Sequence, residues 1–289
     1  MPANTDGYAA VAATRPFPDW NVVTTRDNDP RARYDALGVA TNKRFSRGLT
    51  FDLSYTLARH LSDAGGAVPQ NFAAENGATT LDLFRGDADY GDVPFTRRHR
   101  FVGTFLYELP IGQSRHYLTN VGRGLDLLVG GWDVTGVLLL QSGPFLTPFF
   151  GNGDPSGTGT TTRGFTSTQR PDVVGDGNLE NPTVGAYFDQ SAFERPANNI
   201  GRFGNAGVGI LRGPGTSVFS MTLGKRFAIS GRSQLRTEIA FSNLFDIENL
   251  DVNPGSLNIT SSSFSRITST QTVDQAGPRT VQFSLRYSF

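Results

Sequence analysis

The chain contains no cysteine among its 289 residues. That excludes a disulfide scaffold, thiolate zinc sites, iron–sulfur clusters and a cysteine nucleophile together, while leaving the compartment open. Charge of one sign is missing too. Lys and Arg number 26 and Asp and Glu 26, so there is no basic field for a polyanion and nucleic acid is not an expected partner. Long apolar runs are absent: the most apolar stretch, Gly124 to Gly143, is broken by Asp126 and Asp133. A membrane-spanning helix needs about 20 mostly apolar residues, so none is expected. Met1-Pro-Ala-Asn-Thr-Asp carries neither the basic nor the apolar region of a secretory signal.

What is present is glycine, 34 residues, and phenylalanine, 22 residues. That pairing suits many turns joining aromatic-rich strands. Val281, Phe283, Leu285, Tyr287 and Phe289 alternate with Thr280, Gln282, Ser284, Arg286 and Ser288, the period of a strand with one apolar and one polar face. The pattern recurs along Leu49 to Leu57, Phe101 to Leu109, Trp132 to Leu140, Phe219 to Phe227 and Leu235 to Phe241. Weaker versions occupy Asp19 to Arg26 and Arg33 to Phe45. About eight strands are therefore expected, and no long helix.

Full charges stand on the polar faces in mid-strand, including Asp52, Arg100, Asp133, Arg236 and Glu238. A one-faced sheet in water buries its apolar side, whereas a membrane barrel turns that side to lipid and keeps the charges in a wet lumen. Alternation alone does not choose between them. The connections favour the barrel. Phe45 to Gly48 and Ala228 to Arg232 read as tight turns, while 62–95, 151–216 and 247–277 are long and polar. Counted along the strands, all three long connections fall at one end of the sheet, the asymmetry of outer-membrane barrels. In the 110–130 link, Leu118, Val121, Leu125 and Leu128 recur at helical spacing, as in a short amphipathic helix at a membrane edge. Phe45, Phe95, Phe145, Phe149, Phe150, Phe245 and Phe289 lie near strand ends, where aromatic girdles form.

Six segments carry a family resemblance: Tyr34 to Phe51, Arg98 to Gly112, Gly130-Gly-Trp-Asp-Val-Thr-Gly, Gln141-Ser-Gly-Pro-Phe, Gly204 to Gly215 and Glu238 to Asp246. In this order they resemble the C-terminal barrel region of TonB-dependent outer-membrane receptors. The similar subgroup is the Oar-like one that often has a carboxypeptidase-regulatory-like domain upstream. The resemblance implies an all-β fold, an antiparallel transmembrane barrel segment with long extracellular loops, contributing about eight strands of 22. Residues 1–18 are then an irregular N-terminal segment and 19–289 the C-terminal part of the barrel. It implies uptake of a substrate across the outer membrane of a Gram-negative type cell, with membrane lipid as surroundings. Plug and TonB box are expected on a longer receptor of which this is the C-terminal piece, the TonB complex acting through that N-terminal region. Leu285, Tyr287 and Phe289 look like the C-terminal signal read by the barrel assembly machinery. Arg100, Glu108, Arg236, Glu238 and Arg286 are the expected lumen-facing polar residues, lining a pathway or meeting the plug.

No catalytic, cofactor or metal site is expected. His60, His99 and His116 are far apart and none lies in an H-E-x-x-H arrangement. Gly201-Arg-Phe-Gly-Asn-Ala-Gly precedes a strand instead of opening a helix, so it does not read as a phosphate loop. Asp172, Asp176 and Asn178 depart from the spacing that wraps oxygens around calcium. Asp87, Asp89 and Asp92 read as loop solvation. Two further readings stay open: a non-transport surface protein, an adhesin or carbohydrate-binding sheet acting through its loops, and a soluble β-sandwich.

Overall fold

A computed structural model describes residues 30–63, 85–151, 153–157, 169–230, 233–272 and 274–289. The period-two stretches form seven long strands: β1 (Ala32–Ser46), β2 (Leu49–Ser62), β3 (His99–Glu108), β4 (Trp132–Gln141), β5 (Thr216–Ser230), β6 (Ser233–Ser242) and β7 (Thr280–Ser288). They pair in chain order as an antiparallel meander, and Gly91–Asp92 adds a two-residue strand against the end of β2. The expected strand at Asp19 to Arg26 and the segment 1–18 lie outside the described residues. Among the described residues no helix is long and apolar enough to cross a membrane.

Register turns the alternation into two continuous faces, because directly opposed residues share a side. Phe51 lies opposite Phe105, which lies opposite Gly136, then Met221, Phe241 and Val281. This row is apolar across six strands. The Phe105 ring lies over Gly136, where a Cβ would stand 2.2 Å from it, and stacks with Phe219 at 6.4 Å. Glycine at position 136 is thus a matter of space, not of backbone conformation.

The sheet is not closed. β1 and β7 are its edges, and each has one side without a partner strand among the described residues. The expected all-β, antiparallel sheet is present, and these strands form an open arc, not a closed barrel. With seven antiparallel strands, the first and last run in the same direction.

The two ends of the arc differ as the connections predict. At one end, two residues join β1 to β2 with Arg47 and Gly48 both at positive φ, Ser230 pairs with Ser233, and the 109–131 link crosses. At the other end stand all three long connections. These are not merely polar loops. They fold into a cap with paired short strands at Phe145–Leu146 and Leu211–Arg212, Asp172–Val173 and Phe193–Glu194, Asn178–Thr183 and Ala186–Phe188, and Leu250–Asp251 and Ser269–Thr270. Leu146, Phe150, Phe188, Phe193, Leu211, Leu257, Ile259 and Phe264 pack there as the main buried core. Phe150 is 0% exposed.

Two expectations change accordingly. Phe145 and Phe150 are buried in the cap and Phe149 packs against its core, so they are not part of a girdle, although Phe45, Phe245 and Phe289 are exposed. The helix of the short-side link, α1 (Arg123–Val129), covers only part of the expected stretch. Leu118 lies before it at φ 57°, outside helical conformation.

Candidate functional site: a charged face and a folded cap

The polar face carries an ordered charge array near the tight-turn end. Glu108 lies opposite Asp133, Asp133 opposite Gly224, and Gly224 opposite Glu238. The neighbouring row holds Arg226, Arg236 and Arg286, each opposite the next. Like charges directly opposed across strands repel. Bonds between the rows offset this. Arg226 donates to Glu108 at 2.6 Å, Arg236 to Asp133 at 2.9 Å and to Glu238 at 2.5 Å, and Arg115 from the link reaches Glu108 at 3.3 Å. Ser284 donates to the other oxygen of Glu238 at 3.0 Å. Asp133 is the buried centre, 1% exposed.

Of the five charges expected on one face, all five share it. Glu108, Arg236 and Glu238 are bonded into the array and Arg286 completes its basic row. Arg100 is not part of it: it sits opposite Gln141 near the cap, eight residues or ~27 Å of strand away from Glu108. Sequence reasoning put Asp133 on the polar face but not in the expected lumen set, and missed Arg226 altogether. Strand parity was the available signal, since Asp133 alternates with Trp132 and Val134, and Arg226 with Lys225 and Phe227.

The apolar face is exposed, with Phe283 at 74%, and Leu285 and Tyr287 continue it. Tyr287 and Phe289 stack at 5.8 Å between centroids. On the same face, Lys225 donates to the carbonyls of Leu128 and Gly130 at 3.2 and 2.5 Å, and Trp132 Nε1 to Leu128 at 2.9 Å. The last carbonyls of a helix lack internal partners. Lys225 and Trp132 supply them and tether α1, whose Leu128 stays 70% exposed.

A family profile described as an outer membrane beta barrel domain matches residues 1–282. The chain belongs to the outer-membrane β-barrel domain family. Neither the curated proteins nor the solved structures give a match. Membership accounts for a sheet whose apolar face is exposed while its charges are bonded on the other side, and it places the chain in the outer membrane.

The cap of this barrel domain is tied by charge as well as by its core. Arg170 and Asp89 form a buried bridge at 2.8 Å, with side chains 1% and 0% exposed, and Arg170 also donates to the carbonyl of Ala88. Burial pushes the Arg170 guanidinium below its ordinary value, an effect opposed by Asp89. Arg202 donates to both oxygens of Asp172 at 2.7 Å. Those bonds hold the Asp172 carboxyl below the ordinary value of 3.8, against the opposing effect of burial. Asp176 accepts instead from the backbone and side chain of Asn178. The two aspartates of the calcium-like spacing are therefore committed to different partners. Asp92 bonds Arg98 at 3.0 Å and has Arg59 within 4.0 Å, so Asp89 and Asp92 of the acidic cluster pair with different arginines.

Gly204, the middle glycine of the 201–207 spacing, has a packing cause. A Cβ at Gly204 would fall 1.9 Å from the Arg170 carbonyl oxygen, so two chains cross there at backbone contact. The histidines are held apart. His99 Nδ1 is 2.8 Å from the Tyr55 hydroxyl, and His60 Nδ1 is 3.2 Å from Thr96 Oγ1.

Proposed function

We propose that this barrel domain is the C-terminal part of a TonB-dependent receptor that takes up a substrate across the outer membrane. The observation that carries the reading is the direction of the open edges. Because β1 and β7 run the same way, all-antiparallel closure needs an odd number of further strands. The fifteen that a 22-stranded barrel requires beyond these seven satisfy that condition. Direct β7-to-β1 closure would be parallel, and unpaired edges in lipid cost several kcal/mol per group.

The charged array supports the same reading. Its two rows lie on the face that the apolar exterior makes the lumen, at the end with short turns. A plug domain entering from that end would meet alternating carboxylates and guanidiniums already held in place. The cap covers the opposite end. In this reading lipid covers the apolar face, Leu285, Tyr287 and Phe289 present the assembly signal, and the TonB complex acts through the N-terminal region of the receptor. In this reading the barrel carries out transport without covalent chemistry.

The test is uptake in cells whose native copy is removed. Radiolabelled nutrients should accumulate only with both the receptor and a working TonB complex. Uptake that persists without TonB, or a gene with no plug-encoding region in frame, overturns the reading. The second reading, a non-transport surface protein, is favoured by the separate core of the cap. It predicts surface binding retained without TonB and no import.

A further inference from the structure

The three long connections meet at a small pocket of about 170 Å³. Phe95 comes from the first, Pro144 and Leu146 from the second, and Val252 from the third, giving apolar walls. Two charged residues also line it, Arg97 and Asp251. Arg97 Nη1 is buried and has no hydrogen-bond partner among the described residues. Its neighbours are engaged: Arg98 bonds Asp92, and the Arg212 guanidinium lies 3.6 Å over the Phe145 ring. Asp251 does not form an ion pair with Arg97 among the described residues, and its Oδ1 accepts from the Val252 amide at 2.9 Å.

A buried guanidinium donor without an acceptor is costly, because it has given up water and gained nothing in exchange. Burial pushes Arg97 below its ordinary value, an effect opposed by the charges of Asp251 and Asp274. The pocket that Arg97 lines holds about five or six waters' volume, at roughly 30 Å³ each. Its walls are nevertheless largely apolar, which favours a ligand with one charged end over a cluster of water.

We propose that this pocket binds a small carboxylate carried on a short apolar chain, with Arg97 as the anchor for the carboxylate. Planar guanidinium and carboxylate match in geometry and charge. The apolar chain lies against Phe95, Leu146 and Val252. Binding here does not depend on transport. It is measured on the isolated chain, so its failure is separate from failure of the uptake experiment.

The full chain, refolded in a non-ionic detergent, is titrated calorimetrically with pentanoate, 1-pentanol and pentylammonium. Pentanoate should bind saturably, at least about tenfold more tightly than 1-pentanol. Arg97→Gln should remove that advantage while leaving pentanol binding unchanged. Arg97→Lys, which retains charge but not the fork, should weaken pentanoate several-fold and decides the matter if the Gln variant does not fold. Equal binding of pentanoate and pentanol, tightest binding of pentylammonium, no binding at all, or unchanged pentanoate affinity in Arg97→Lys overturns the proposal.

Discussion

Asp133 on β4 and Arg236 on β6 are bonded across an intervening strand, at 2.9 Å, directly above Gly224 of β5. A Cβ on Gly224 would lie 2.7 Å from Asp133 Oδ2 and 2.8 Å from Arg236 Nη2. The missing side chain is what lets a carboxylate and a guanidinium two strands apart meet, and it makes the charged face one array instead of separate pairs.

Gly224→Leu should therefore break the bridge, whereas Gly224→Ala, which displaces only flexible side-chain ends, should be tolerated. Asp133→Ala should cost about 1–3 kcal/mol, less than a fully buried pair, since Arg226 and Arg236 keep Glu108 and Glu238. Urea unfolding in detergent, followed by heat-modifiable mobility, reads both effects. A Gly224→Leu protein as stable as the wild type would remove the coupling.

The cap should unfold before the sheet when its buried bridge is cut. Arg170→Met takes the guanidinium of a buried ion pair away from Asp89, and losing one partner of such a pair costs about 3–5 kcal/mol in comparable sites. Limited proteolysis should then cleave within 85–95 and 169–215 while the strands stay protected. Cleavage spread evenly over cap and strands would contradict a separately cooperative cap.

Acid should loosen the same cap. Arg202 lowers the folded pKa of Asp172 below its ordinary 3.8. The associated stability is therefore present above the unfolded value and is lost as pH falls through the depressed folded value. Amide protection around 172–205, corrected for the intrinsic pH dependence of exchange, should fall on going from pH 6 to pH 3 in the wild type. In Asp172→Asn that pH dependence should be reduced, and an identical profile in both proteins would exclude this ion pair as its source.

Trp132 should report the lipid boundary, since it shares the exposed apolar face and holds α1. In a Trp20→Phe background, vesicles containing brominated lipid should quench Trp132 fluorescence. Lys225→Met, which removes two bonds to the end of α1, should change that quenching without unfolding the sheet. Absence of quenching in the parent would place this face away from lipid.

Removing Phe289 should lower the amount of assembled protein in the outer membrane several-fold while leaving its stability after refolding in detergent within about 0.5 kcal/mol. Equal membrane levels would discount Leu285, Tyr287 and Phe289 as an assembly signal.

The strands were legible because alternation is a local property. In Val281-Gln-Phe-Ser-Leu-Arg-Tyr, each residue's face follows from its neighbours, and antiparallel register preserves that face from strand to strand. Placement of Glu108, Arg236, Glu238 and Arg286 on one side, and of the long connections at one end, followed from the same parity. The cap did not follow. Its core joins Phe149 to Leu257, whose carbonyl accepts the Phe149 amide at 3.0 Å across more than a hundred residues, and irregular segments carry no periodicity to announce such a contact. The sequence by itself determined which side of each strand is apolar. Only the tertiary structure decided which charges bond, which phenylalanines are core, and that Arg97 lines a pocket, because each depends on segments brought together from distant positions.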